Sequence, residues 1–200
     1  MGELRVDCMG KKKRTSKKSG IKLDIGCGLN KKDGYIGVDA MPYPGVEYIC
    51  DVDKGIPFKD NSVDEVYTSH FLEHVKDFQF VMEEIWRVMK PNGVVEIIVP
   101  HWASSLAYSE YHVRFFRYLS FEELTDNSTP FKGSFKAKFE IRKRRYIFNY
   151  RKICGRFGIL AVPYSHLMEL FSNEIKGYFD IWFAHLFPPS EVYFKLEVIK

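Results

Sequence analysis

The residues best placed to do chemistry are three acids, a glycine pair, a serine and a histidine. They are Asp24, Gly26 and Gly28 in LDIGCGLN (23–30), Asp39 in GYIGVDA (34–40), Asp51 in VEYICDV (46–52), and Ser69 with His70 in VDEVYTSHF (63–71). Each group closes a short apolar run. In an open parallel sheet such strand ends face the ligand, at the point where strand order reverses. A glycine loop after a strand often cradles phosphate, but the dinucleotide fingerprint needs a third glycine at position 31, which is Lys. A pyrophosphate would also be repelled by the Asp24 carboxylate. The set calls for a cation.

S-adenosylmethionine answers that description, with an ammonium, a sulfonium, a ribose diol and an adenine but no phosphate. Asp24 would attract the ammonium, directly or through water, while Gly26 and Gly28 let the backbone approach the methionine part. Asp39 would accept both ribose hydroxyls in a bidentate arrangement. Asp51 would accept from the adenine amino group, and the Val52 amide would donate to the ring. Cys27, inside the loop, reads as a small filler, because methyl transfer needs no covalent enzyme intermediate.

A sulfonium-bound methyl is already electrophilic, so the enzyme's main task is to place a nucleophile in line with it. An oxygen of ordinary acidity also benefits from a general base. Two histidines are candidates: His101, beside Trp102 directly after the fifth strand, and His112 in YSEYHVRFF (108–116). Packing or loop hydrogen bonding is the alternative for each. Glu73-His74, in LEHV (72–75), is expected to begin the next helix, where Glu suits the helix dipole. No metal-ligand set is expected.

The elements that must position these groups follow from the apolar pattern. Strands are expected at 21–26, 35–40, 46–52, 63–69 and 94–100, apolar enough to suit parallel strands covered on both faces. Phe78, Val81, Met82, Ile85, Trp86, Val88 and Met89 recur at helical spacing and give one apolar face. Pro91-Asn92-Gly93 should stop that helix. Only eight residues, 27–34, join the first strand to the second. A parallel crossover normally takes about 10–12, so the first helix must shrink to a turn or give way to an irregular loop. Further on, 135–148 and 191–200 alternate and could pair antiparallel, with one or two apolar helices between them.

Bulk properties set the limits. Two hundred residues, 46% hydrophobic and 28% charged, suffice for one domain with a full core. The net charge of +4 is concentrated in KKKRTSKK (11–18) and RKRR (142–145). Such runs are either anionic contacts or solvated faces. The four cysteines, Cys8, Cys27, Cys50 and Cys154, form no CxxC pair, a pattern of reduced thiols rather than of disulfides or a zinc site. No apolar run reaches the roughly 18 residues of a membrane span, and no signal-peptide core follows the basic N-terminus. A cytosolic protein is expected.

The ordered series of motifs resembles the class I S-adenosylmethionine-dependent methyltransferases, especially the broad group of ubiquinone and menaquinone type enzymes. LDIGCG (23–28) is similar to the family's first motif and GYIGVDA to its acidic second strand. CDVDKGIPFKDNSVDEVYTSHFLEHV (50–75) is similar to its adenine-binding and fourth-strand region, and EEIWRVMKPNGVVEIIVP (83–100) to the helix and strand that follow. The resemblance implies an α/β Rossmann-like fold, a mostly parallel seven-stranded sheet with an antiparallel last strand and, here, a shortened first helix. It implies that Asp24, Gly26, Cys27 and Gly28 line the methionine part, Asp39 the ribose, and Asp51 and Val52 the adenine, with Ala40 and Met41 beside it. Ser69 and His70 would floor the sulfonium. Asn30 stands where many members have a third glycine.

The expected organisation is a basic arm over 1–20 and a single domain over 21–200, with substrate-covering segments around 101–133 and 150–189. The aromatic concentration in the latter, including Tyr164, Phe171, Tyr178 and Trp182, could roof a substrate, form a homodimer interface or cover the sheet. The implied activity is methyl transfer to a small-molecule acceptor, most plausibly an oxygen of a sugar, lipid-linked intermediate or secondary metabolite. Two alternatives stand beside it: an RNA methyltransferase using the basic arm, and a cofactor-binding scaffold without transfer activity.

Overall fold

The computed structural model describes residues 20–125, 135–149 and 162–200, the side chains of 162–166 excepted. The basic arm, Cys8, Cys154 and the Tyr164 side chain lie outside the described residues. Seven strands form one sheet: β1 (Ile21–Ile25), β2 (Ile36–Asp39), β3 (Val46–Ile49), β4 (Val63–Ser69), β5 (Met89–Pro100), β6 (Lys138–Ile147) and β7 (Glu191–Ile199). Their order is β3-β2-β1-β4-β5-β7-β6. The first five run parallel, and β7 enters antiparallel to both neighbours, β5 and β6. Strand order reverses between β1 and β4, so the ends of β1, β2 and β4 open onto one crevice.

The first crossover holds no helix. Residues 27–35 form turns, tied by Asn30 N donating to Cys27 O (3.2 Å) and Tyr35 N to Lys32 O (3.2 Å). Gly37 lets this loop lie against β2: a Cβ there would sit 2.8 Å from Lys31 Cδ and 2.9 Å from Cys27 Sγ.

The missing helix corrects the expectation of a sheet covered on both faces. Leu23, Ile25, Val66, Val95, Ile97, Phe194 and Leu196 are buried on one face. The other carries Lys22, Glu65, Tyr67, Glu96, Tyr193 and Lys195, all half-buried. Lys22 pairs with Glu65 (2.8 Å) and Lys32 with Glu96 (3.0 Å). The Lys32 ammonium also lies 4.1 Å from the Tyr67 ring centroid and 4.6 Å from that of Tyr35. Among the described residues a charge-laced face stands where a parallel sheet usually has a helix layer.

Helix α1 (Phe78–Val88) connects β4 to β5 and buries Val81, Met82, Ile85 and Val88 against the sheet. Asp77 caps it, accepting from Phe80 N (3.0 Å). Near its end Arg87 forks to Glu84 (2.6 Å), Asp60 (2.6 Å) and the carbonyls of Phe58 and Ile56, fastening the loop before β4. The expected stop at Pro91-Asn92-Gly93 falls differently. The helix ends at Val88 and β5 begins at Met89. Residues 90–93 bulge between the pairs Val63–Met89 and Glu65–Val94, with Asn92 left-handed (φ 60°).

Between β5 and β6 the described residues hold only short 3-10 turns, at Ser105–Ala107 and Glu122–Leu124. Phe116, Tyr118, Phe121 and Leu124 instead fill the core, Phe121 stacking on Phe116 and meeting Phe194 edge-on. Residues 116–124 therefore contribute to the core. Tyr108, Tyr111, Val113 and Phe115, just before them, are exposed. Between β6 and β7 lie helices α2 (Val162–Ile175) and α3 (Tyr178–Trp182). Phe179 packs beneath them against Tyr146, while Tyr178 and Trp182 face outward. No described helix is long and apolar enough to cross a membrane.

Candidate active site

Local geometry at the crevice begins with β1. Asp24 is 2% exposed and its Oδ2 accepts from Lys32 N at 2.7 Å. Burial pushes its carboxyl up, against the pull of the Lys32 amide and the nearby lysines. The buried carboxylate thus holds the loop in place. Gly26 and Gly28 both adopt left-handed φ, 68° and 52°, which a side chain would strain. Their surroundings differ. A Cβ on Gly26 would meet the Phe71 ring at 2.3 Å, whereas nothing lies within 4 Å of one on Gly28. Gly28 opens onto free space. Cys27 is buried, and burial with neighbouring acids pushes its thiol up to about 11, as a filler rather than a nucleophile requires.

Asp39 closes β2 with both oxygens engaged. Oδ2 accepts from Gly28 N (2.9 Å) and Oδ1 from Met41 N (2.9 Å). A carboxylate has about four acceptor positions, so each oxygen retains one for a diol. The glycine loop and the ribose-type acid are thereby bonded to each other. Beyond Ala40, Met41 is exposed. Asp51 caps a short 3-10 turn, Val52–Lys54, accepting from Asp53 N (3.2 Å) and pairing with Lys54 (3.1 Å). Val52 is buried at the start of that turn.

On the other side of the crevice, β4 ends at Ser69, and His70 follows in a left-handed conformation (φ 52°). His70 Nε2 lies 2.6 Å from Glu191 Oε1, and its Nδ1 lies 3.5 Å from Glu73 Oε1. Burial alone would lower its pKa, but the bond to Glu191 and the nearby Glu73 carboxylate outweigh this and push it up to about 9. Residue types and motif order predicted His70; its partner Glu191, from the far side of the sheet, carried no sequence signal. Glu73 and His74 lie in a turn, not at the start of α1 as expected, because Asp77 caps that helix four residues later.

The two candidate bases sit in opposite surroundings. His101 is fully buried. Its Nε2 is 2.9 Å from Asp180 Oδ1, and its Nδ1 accepts from Ala103 N (3.2 Å). Asp180 also binds Tyr146 Oη (2.8 Å) and Tyr118 N (3.0 Å). His112 lies at the rim, its Nδ1 2.9 Å from Ala107 O, and its ring meets that of His74 edge-on at 4.6 Å. A backbone bond from Val113 N to Glu73 O (2.9 Å) ties this segment to the end of β4. His112 is thus half-buried beside the end of β4, whereas His101 is enclosed.

A seven-stranded sheet of this order, with a glycine loop and an acid at each of the first three strand ends, is that of the class I S-adenosylmethionine-dependent methyltransferases. The chain carries a domain of that class, whose cofactor is S-adenosylmethionine. Residues 23–97 match the family described as "Methyltransferase domain". Among curated proteins, a demethylmenaquinone methyltransferase of Anoxybacillus flavithermus is 26% identical over 124 residues, covering 56% of this chain and 52% of its own length. The chain thus spans about half the length of that relative. Among solved structures, YcgJ of Bacillus subtilis aligns with a TM-score of 0.50 at 15% identity, covering 90% of this chain and 92% of its own. Phosphoethanolamine N-methyltransferase 2 of Haemonchus contortus, in complex with S-adenosyl-L-methionine, aligns with a TM-score of 0.53 at 17% identity. That alignment covers 92% of this chain and 50% of the other. At such identities the solved structures bear on the fold alone.

Proposed function

We propose that this chain transfers a methyl group from S-adenosylmethionine to an oxygen of a small molecule, such as a sugar, a lipid-linked intermediate or a secondary metabolite. The observation that carries the cofactor half is the bonded pair of Asp39 and Gly28 beside open space. In this reading Asp39 receives the ribose diol, Asp24 faces the ammonium, and Asp51 with the Val52 amide takes the adenine. Ala40 and Met41 wall the base, Gly26 and Cys27 line the methionine part, and Ser69 and His70 floor the reacting methyl. Bound cofactor supplies the electrophilic methyl; the chain's own residues bind, orient and screen it.

On the acceptor side, His112 offers the group to take the hydroxyl proton, because its Nδ1 is held by a carbonyl and its ring stands at the rim. His101, enclosed by Asp180, Ala103 and Tyr146, we assign to holding α3 against β6. The small-molecule half of the reading is supported by the curated relative, whose name gives demethylmenaquinone as acceptor. The RNA reading draws less support. Arg142 pairs with Glu140 and Glu197, Arg144 with Glu122 and Arg145 with Glu169, so this basic strand is answered by carboxylates of its own chain.

The test is calorimetric titration with S-adenosylmethionine, then transfer of isotopically labelled methyl into a panel of hydroxylated acceptors. Saturable binding with labelled product supports the proposal. Binding without transfer to any acceptor class points to the scaffold reading, and labelled RNA, lost on deleting residues 1–18, to the nucleic-acid one.

A further inference from the structure

We propose that Glu73, His74 and His112 form a binding site for a divalent transition-metal ion, independently of whether methyl transfer occurs. Each residue offers one ligand atom, and the three atoms lie within 4.8 Å of one another. This departs from the sequence expectation of no metal. LEHV has no metal spacing of its own, and His112 arrives from 38 positions further along.

Three features of the cluster point to a cation. The first is the state of Glu73. It is 1% exposed, and neither carboxylate oxygen accepts a hydrogen bond. The nearest basic atom, His70 Nδ1, stands 3.5 Å away, while the same ring's Nε2 pairs with Glu191 at 2.6 Å. One imidazole ring serves both Glu73 and Glu191, so a further cation beside Glu73 would offset the cost of burying its carboxylate. The second is the orientation of the imidazoles. His74 Nδ1 lies 3.2 Å from Tyr111 O, and His112 Nδ1 lies 2.9 Å from Ala107 O. A carbonyl can only accept, so each Nδ1 carries the proton and each Nε2 keeps its lone pair. Metal-binding histidines are commonly fixed in this way, with the second ring nitrogen donating to a backbone carbonyl. The third is backbone fastening. Val113 N donates to Glu73 O (2.9 Å) and His74 N to Phe71 O (3.0 Å), so both ligand-bearing segments are tied together before any ion arrives.

Two imidazoles and one carboxylate suit zinc, iron(II), cobalt(II), nickel or manganese rather than calcium or magnesium. Three protein ligands leave at least one position open. That position is fit for water or for a hydroxyl oxygen of an acceptor, next to the exposed Tyr108 and Tyr111. With an ion in place His112 is a ligand, and the metal replaces it as the group that makes the hydroxyl more acidic.

The full chain, stripped with a chelator and dialysed, is titrated with Co²⁺ followed by visible absorption, and with Zn²⁺ by calorimetry. One equivalent is expected to bind, with a d–d band. His74→Ala and His112→Ala should each weaken binding by at least about tenfold, while His185→Ala, away from the cluster, should leave it unchanged. Glu73→Gln should also lose the ion, and its thermal midpoint without metal, set against that of the metal-free parent, checks that the variant is folded. S-adenosylmethionine affinity, measured on the same variants, keeps a failure of this proposal separate from a failure of the proposed function. A parent protein with no cobalt band, or a band unaltered in His74→Ala and His112→Ala, overturns the proposal.

Discussion

At the scale of single residues, the two glycines of the first loop do different work, although the sequence presents them as a pair. Both have positive φ, but only Gly26 is packed, its missing Cβ replaced by the Phe71 ring. Gly26→Ala should therefore lower the thermal midpoint clearly, combining left-handed strain of about 1–2 kcal/mol with displacement of Phe71. Gly28→Ala should carry the strain alone in the free protein and act chiefly on cofactor binding. Thermal unfolding with and without S-adenosylmethionine separates the two, and equal destabilisation in its absence would contradict this division. Asp39→Ala removes an acceptor of two backbone bonds and the proposed holder of the ribose. With charged hydrogen bonds worth roughly 1.5–3 kcal/mol each, cofactor affinity should fall at least about tenfold by calorimetry. Unchanged affinity would move the ribose elsewhere.

At the scale of elements, α1 is held by more than its apolar face. The Glu84–Arg87 pair, with Ile56 N donating to Glu84 (2.9 Å), welds the helix end to the loop before β4. The Arg87 guanidinium holds the Glu84 carboxyl below the usual carboxylate range, against the effect of burial. A carboxyl depressed in the folded state stabilises above its unfolded pKa, and that stability is lost as pH falls through the folded value. Glu84→Gln should cost roughly 1–2 kcal/mol at neutral pH. The gap to the parent should narrow as pH drops below the ordinary glutamate value, and denaturant titrations at several pH values measure it. A gap constant through acid would show that the charge is not what matters. Helix α1 was legible because six of its apolar residues, Phe78, Val81, Met82, Ile85, Trp86 and Val88, recur at helical spacing. The bulge at 90–93 was not, because Pro91-Asn92-Gly93 suits a free turn and a strand bulge equally well, and only pairing with β4 chooses between them.

At the scale of the whole molecule, the chain keeps the seven-stranded sheet while dispensing with several of the helices that parallel crossovers usually bring. Among the described residues, one face is closed by α1 and by the aromatic segment around Phe116 and Phe121, and the other carries cation–carboxylate pairs. Leu167, Leu170, Tyr178, Ile181, Trp182 and Leu186 stand 63–71% exposed along α2, α3 and the turn after it. Exposed apolar residues in such number mark an association surface more often than bare solvent. Self-association through this face is the expected outcome, and Trp182→Glu with Leu186→Glu should shift the sedimenting mass toward the monomer. An unaltered mass would place any contact elsewhere.

The sequence by itself determined the strand series, the acids that close the strands and hence the cofactor's charge, because strand-end chemistry is local and each motif carries its own residue types. It also exposed the shortened first crossover, since eight residues cannot hold the usual helix. Only the tertiary structure decided which face of the sheet carries the charged pairs, which of two histidines is enclosed, and that Glu191 meets His70. Those outcomes depend on contacts between residues far apart in the chain, such as His101 with Asp180 and Glu73 with His112, whose pairing no spacing in the sequence encodes.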